Sequence, residues 1–283
     1  MKRKFKITKY SIGTWICRII MIFLTLVFLY PLFWNILASF KTNTEFLTDP
    51  YAFPTALHFE NYVRAFEKAN VGTYFLNSVI VVVCSTIFSF IFVIPASYVL
   101  GRYKFTGSKM IMAVFMACLF IHASYIMVPL FLMMNKLHAT NNLLATSILY
   151  AVLRFPFSIF ILSGFMKAIP HDYEEAAKID GYTNTKILWN IIVPLAKPGI
   201  ATITMLSAMY FWNEYPMAMV LLTDESKKTI PLGLANLYEV QQYATDWSAL
   251  FAALIIVLIP TLLIYLLGQK YLLTGANVGG VKG

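Results

Sequence analysis

The sequence predicts an all-α integral membrane protein with six transmembrane helices, and three observations carry that expectation. The first is composition. Hydrophobic residues make up 59% of the 283 positions and charged residues 12%, against roughly 25% charged in soluble domains. The second is distribution. The charges gather between six apolar runs, each close to the ~20 residues that a helix needs to cross about 30 Å of hydrocarbon. The third is the absence of the strand alternation that a membrane barrel requires. Helices are then the form that satisfies every backbone group in lipid.

Residues 1–14 form a basic arm with Lys2, Arg3, Lys4, Lys6 and Lys9. The apolar run from Trp15 to Ala38 exceeds the 7–15 residues of a cleaved signal core, and no small-x-small cleavage site follows. It reads as the first span. Residues 39–72 are polar and mixed. The second span covers 73–100, with Pro95 near its end, and GRYKFTGSK (101–109) is a basic turn. The third span covers 110–134 and the fourth 143–166, joined across Asn135–Asn142. A polar hairpin, 168–198, precedes the fifth span at 199–222. A polar segment, 223–246, leads to the sixth at 247–268, and 269–283 is a tail.

Orientation follows from Lys and Arg. Fifteen of the 22 lie in the N-terminal arm with Arg18, the 101–109 turn, the 167–198 segment and the tail; six lie in the other loops and Arg154 lies inside a span. The positive-inside rule therefore places both termini and the hairpin in the cytoplasm, with 39–72 and 223–246 outside. The expected location is the cell membrane, multi-pass. The net charge of +9 is explained by this bias and not by nucleic acid. Cys17, Cys84 and Cys118 sit in apolar stretches without metal-ligand spacing, and no metal site is expected. No GxxxxGK[ST] loop, HExxH helix or GxSxG elbow is present, so a nucleotide motor, a zinc protease and a serine hydrolase are not indicated. Energy must come from an ion gradient or a partner ATPase.

The hairpin carries the most detailed signal. Pro170 stops the preceding helix. Asp172 is expected to cap a new one, with Glu175 at the capping-box position and Asp172, Glu174 and Glu175 favoured by the dipole in its first turn. Ala176 and Ala177 leave room for a close partner. Gly181 suits a left-handed helix end. A second helix after Thr183 or Asn184 puts Ile187, Leu188, Ile191 and Ile192 opposite Asn184, Lys186 and Asn190, and Pro194 and Pro198 close the segment. Alone, these features describe an amphipathic surface hairpin.

Glu175-Ala176-Ala177, Gly181, Ile191 and Val193-Pro194 match EAA-x3-G-x9-I-x-LP, the signature of ABC importer permeases, with Val193 where Leu is usual. Further pieces are YPLFWNILASFKTNTEF (30–46), the FP at 53–54, NYVRAF (61–66), FLNS (75–78), ASYVLGRYKFTG (96–107), WNEY (212–215) and GGVKG (279–283). With these the chain resembles the carbohydrate-uptake permeases, in particular the maltose-type subunit that carries a tail. His122 stands where that family often has Pro, and Ser163 where it often has Arg.

The resemblance implies a type I ABC importer permease fold. It implies a second homologous permease, two ATPase subunits, an extracytoplasmic sugar-binding protein and a sugar, an oligosaccharide, as cargo. It implies no catalytic residue and no cofactor in this chain, ATP and Mg being held by the partner ATPase. ATPase coupling falls on Glu174, Glu175, Ala176, Ala177, Asp180, Gly181 and Pro194. Tail contact with the ATPase falls on Gly280, Val281 and Lys282, the alternative being a basic tail without a partner. Other readings are the same architecture for a polyol, glycerol phosphate or amino acid, or an ion-coupled carrier acting without an ATPase.

Candidates for a translocation path or gate are the polar residues inside spans. Arg154 sits near the middle of the fourth span, where a charge costs about 2.5–3.5 kcal/mol on insertion scales. It is expected to pair with Glu214, the carboxylate at comparable depth, or to face the path; the alternative is contact with carbonyls of the second permease. Trp212, Asn213, Glu214 and Tyr215 combine rings with hydrogen-bonding groups, a mixture suited to a gate, to packing, to sugar contact or to interface anchoring. Asn77 and His122 either bond between helices or touch the cargo.

Overall fold

The computed structural model describes residues 12–68, 70–240 and 246–279, and every regular element among them is helical. In chain order these are α1 (Ile12–Ser39), α2 (Asn43–Thr48), α3 (Glu60–Lys68), α4 (Val71–Arg102), α5 (Ser108–Cys118), α6 (Ala123–Lys136), α7 (Leu143–Lys167), α8 (Asp172–Ile179), α9 (Asn184–Ile187), α10 (Val193–Leu195), α11 (Lys197–Asn213), α12 (Pro216–Leu221), α13 (Ile230–Val240) and α14 (Trp247–Gly279). A short 3₁₀ turn covers Glu225–Lys227 and a π-helical stretch covers Leu188–Ile192.

Four helical stretches, 13–39, 71–102, 143–167 and 247–269, are each long and apolar enough to cross a membrane. Two bent pairs bring the number to six if each pair is one span. One of the two bends lies inside an expected span. The third span is not one helix: α5 and α6 meet at 98° across residues 119–122. His122 begins α6 from an extended backbone (φ −72°, ψ 138°), its Nδ1 accepting from the Ser124 N–H at 3.3 Å. Hydropathy could not reveal this, because Leu119, Phe120 and Ile121 at the break are as apolar as the helices around them. The fifth span also departs from a single rod. The 76° bend lies ahead of it, between Asn184–Leu195 in the expected hairpin and α11. Beyond α11 the backbone becomes extended at Glu214 and restarts as α12. The sixth helix runs past the expected end at 268 to Gly279.

The packing core is the pair α4 and α7. Along α4, Ser78, Ser85, Ser89, Ser97 and Gly101 recur at steps near a multiple of the helical turn, and the four serines are buried. Small residues let membrane helices approach closely, since lipid offers no hydrophobic drive between them. Ser85 Oγ donates to Ser147 O at 3.0 Å and Ser97 Oγ to Ile159 O at 3.5 Å, both on α7. Closest is Gly101: a Cβ there would lie 2.8 Å from the backbone oxygen of Ser163. A backbone atom cannot rotate away, so G101A must push the helices apart. The expected destabilisation is about 1–3 kcal/mol, read as a lower thermal unfolding midpoint of the detergent-purified protein; an unchanged midpoint would refute the close approach.

At the Val71 end of α4 the non-spanning segments form a cap. Lys41 is buried and donates to Asp49 O and Pro50 O, both at 2.9 Å. Arg64 on α3 pairs with Asp246 ahead of α14 at 3.3 Å. At the Arg102 end, the 168–198 hairpin packs Ala177, Ile187, Leu188 and Ile192 into a cluster with Tyr98, Leu162, Met166 and Ile203. A helix of 32 residues is about 48 Å long at 1.5 Å per residue, so cap and hairpin lie at opposite ends of the bundle.

Candidate functional sites: a coupling hairpin and a membrane cavity

The hairpin turns at Gly181, whose φ is +78°. The Tyr182 N–H donates to Ala177 O at 2.9 Å and the Gly181 N–H to Lys178 O at 3.0 Å. These two bonds are the Schellman pattern, which needs a left-handed residue between them. Thr183 Oγ1 then accepts from the Lys186 N–H at 3.4 Å and starts α9. The π-helical stretch lies directly ahead of Val193-Pro194, where the proline lacks the N–H that would bond one turn back. At the other end of α8, the expected Asp172 cap is absent. Asp172 is the first helical residue, His171 precedes it with helical angles, and no side chain caps the helix.

Burial divides the coupling residues. Glu175, Ala176, Asp180, Gly181 and Pro194 lie on the exposed side. Ile179 is 87% exposed, and Tyr173 and Tyr182 are exposed as well. Glu174 and Ala177 face inward. Of the two alanines only Ala176 leaves space for an outside partner; Ala177 fits the helix against the bundle.

Glu174 is the inner anchor. Its carboxylate Oε2 accepts from Arg102 Nη2 at 2.8 Å, with the two side chains 9% and 1% exposed. Arg102 Nη1 also donates to Met166 O at 3.1 Å and to Ile169 O, and Nη2 to Pro170 O at 3.3 Å. His171 Nδ1 lies 3.0 Å from the same carboxylate oxygen. One guanidinium thus joins the end of α4, the open carbonyls after α7 and the first turn of α8. Burial pushes the Glu174 carboxyl up, but the Arg102 hydrogen bonds and charge, with Tyr98 and His171, outweigh it and hold the pKa below the ordinary carboxylate value. Sequence reasoning read Arg102 only as an orientation charge, because no spacing rule links positions 102 and 174.

A cavity of about 910 Å³ opens among α5, α6, α7, α11 and the start of α12. Four expected path residues line it: His122, Arg154, Asn213 and Glu214. Arg154 and Glu214 share the cavity without pairing, and no ion pair joins them among the described residues. Glu214 instead caps α12. Its Oε1 accepts from the Met217 N–H at 2.8 Å, and Oε2 from the Ala218 N–H at 3.0 Å and from the Tyr150 hydroxyl. Arg154 lies over two rings, with Cζ 3.8 Å from the centroid of Phe157 and 4.7 Å from that of Tyr210.

Three expected residues lie elsewhere. Trp212 is buried, donates to Val257 O at 3.4 Å and packs edge-on against Phe75. Asn77 Nδ2 donates to Ser226 O at 3.0 Å and Lys228 O at 2.9 Å, tying α4 to the cap. The Tyr215 hydroxyl lies 3.3 Å from Met219 Sδ. All three sit where they pack helices or loops. Tyr210 and Phe157 were not singled out from the sequence, since an aromatic in an apolar span carries no distinguishing mark. Gly280, Val281 and Lys282 lie outside the described residues.

Residues 93–275 match the family described as the binding-protein-dependent transport system inner membrane component. The chain is 33% identical over 260 residues to the diacetylchitobiose uptake system permease protein NgcG of Streptomyces coelicolor, covering 92% of this chain and 86% of that one. It is 29% identical over the full length of both chains to the arabinooligosaccharides transport system permease protein AraQ of Halalkalibacterium halodurans. A chain in the crystal structure of a bacterial ABC transporter involved in the import of the acidic polysaccharide alginate superposes with a TM-score of 0.80 at 26% identity, over 93% of this chain and 99% of that one. With the signature spacing folded into one outward-facing hairpin at the end of an all-helical bundle, the chain belongs to the family of inner-membrane permease components of binding-protein-dependent transport systems.

Proposed function

We propose that this chain is the membrane-spanning subunit of an ATP-driven importer that carries a sugar, an oligosaccharide, by alternating access. The observation that carries the reading is the hairpin. Its outward side presents Glu175, Ala176, Asp180 and Ile179, while its inner side is bolted to α4 and α7 through Arg102 and Glu174. A surface that is free on one side and rigidly joined to the spans on the other can pass a push from a cytoplasmic motor to the membrane helices. Two ATPase subunits supply that motor and bind ATP and Mg; this chain contributes no catalytic residue and no cofactor. A second, homologous permease completes the path, and an extracytoplasmic binding protein delivers the sugar. The sugar assignment draws on relatives named for diacetylchitobiose and arabinooligosaccharide uptake. Gly280, Val281 and Lys282 are assigned to the ATPase on sequence resemblance.

The test is purification under mild detergent. An ATPase and a second permease are expected to co-purify with the chain, and vesicles holding the complex are expected to take up sugar only with ATP inside the ATPase compartment and binding protein on the opposite face. Uptake driven by a proton or sodium gradient from the chain alone would overturn the reading.

A further inference from the structure

Among the described residues, Arg154 is the only permanently cationic side chain on the cavity lining and Glu214 the only acidic one. Their charges are not balanced against each other. The Glu214 carboxylate is spent on three donors of its own: the Met217 and Ala218 N–H groups and the Tyr150 hydroxyl. Among the described residues the Arg154 guanidinium has no hydrogen-bond acceptor or carboxylate partner. Its Nε is shut off from solvent and carries no hydrogen bond, and what holds the group is the pair of rings, Phe157 and Tyr210. Arg102, by contrast, reaches three carbonyls and a carboxylate.

A guanidinium has five N–H donors in one plane and nothing to accept with. A cation held over ring faces keeps its N–H donors for another partner, since the rings attract its charge without taking a conventional hydrogen bond. That edge matches the two oxygens of a carboxylate in parallel bonds, and the match strengthens where water and bulk dielectric are excluded. Neutral sugar hydroxyls are weaker acceptors for a cation and leave its charge uncompensated. The volume of about 910 Å³ lies at the upper end of the ~300–1,000 Å³ of small-molecule sites.

We propose that this cavity contains an anion subsite, in which Arg154 receives the carboxylate of an acidic sugar residue, a uronate, during passage. The proposal deepens the sugar-importer reading and rests on it. A carboxylate could instead come from the second permease, and the experiment separates the two sources.

The probes are trigalacturonate and its fully methyl-esterified form, which share hydroxyls and differ in charge. Equilibrium binding of each is measured on the detergent-purified complex, for wild type, R154Q and R154K. The wild type is expected to bind the acid at least ten-fold more tightly than the ester. R154Q is expected to erase that preference with ester binding unchanged, and R154K to keep part of it. Four results would overturn the proposal: no binding of either probe, equal binding of both, equal weakening of both by R154Q, or release of the second permease from the R154Q complex. Failure of any ATPase to co-purify strikes the importer reading separately, because acid-over-ester preference can still be measured on the chain itself.

Discussion

Arg102→Met is expected to destabilise the protein by about 3–5 kcal/mol, the cost of leaving one member of a buried ion pair without its partner. The substitution keeps a long apolar stem but removes the fork that holds the Glu174 carboxylate and the carbonyls of Met166, Ile169 and Pro170. R102K keeps the charge but cannot span carboxylate and carbonyls together, so an intermediate loss is expected. The swap of R102E with E174R is expected not to rescue. A carboxylate at position 102 would face three carbonyl oxygens, whereas a simple ion pair would tolerate exchange. Thermal unfolding of the purified complex reads the first effect. Sugar carried per ATP hydrolysed reads the second, since a hairpin loosened from α4 and α7 should let hydrolysis run with less transport. Full rescue by the swap, or an unchanged transport ratio, would remove the clamp from the mechanism.

The same pair sets a pH dependence. The Glu174 pKa is depressed in the fold, so the unfolded chain binds its proton first on acidification. The stabilisation is complete above the ordinary carboxylate value and is lost as pH falls from there through the lower folded value. The unfolding midpoint of E174Q relative to wild type should therefore converge on acidification through that window. A constant difference would show that the charge of Glu174 is not what stabilises.

Gly181→Asp is expected to lower transport at least ten-fold while the complex still assembles. No heavy atom lies within 4 Å of a Cβ placed there, so packing is untouched. The strain is in the backbone, where φ of +78° costs an L-residue about 1–2 kcal/mol. The larger effect is on the outward surface, which gains a carboxylate beside the exposed Asp180. G181A carries the strain without the charge and should fall between. Affinity capture of the ATPase together with uptake in vesicles checks both halves. Normal uptake by G181D would sink the coupling role of this turn, and loss of assembly would make it a folding position.

Much of the architecture was legible because it depends on quantities that sum along the chain. Hydropathy over twenty residues located apolar stretches that fold as long helices at 13–39, 71–102, 143–167 and 247–269. The Gly181 turn was legible for a different reason: its requirement is local, a positive φ that the hydrogen bonds from Tyr182 and Gly181 demand. The break at residues 119–122 was not legible, since a bend inside an apolar run changes no sum. The expected Asp172 cap failed for a related reason. Capping residues were read from type and spacing, while the approach of Arg102 to Glu174 was fixed by helices distant in sequence.

The cavity shows the division most clearly. A charge at position 154 and a carboxylate at 214, both inside apolar spans, could be read as one pair. Tertiary packing decided otherwise: Glu214 bends back onto the start of α12 and takes the Tyr150 hydroxyl, and Arg154 rests on Phe157 and Tyr210. By itself the sequence determined that the chain is helical, where it is apolar, and which hairpin carries the family spacing. Only the tertiary structure decided which face of each helix looks inward, and so which polar groups meet. Periodicity defines a face, but the direction of that face depends on neighbours tens of residues away.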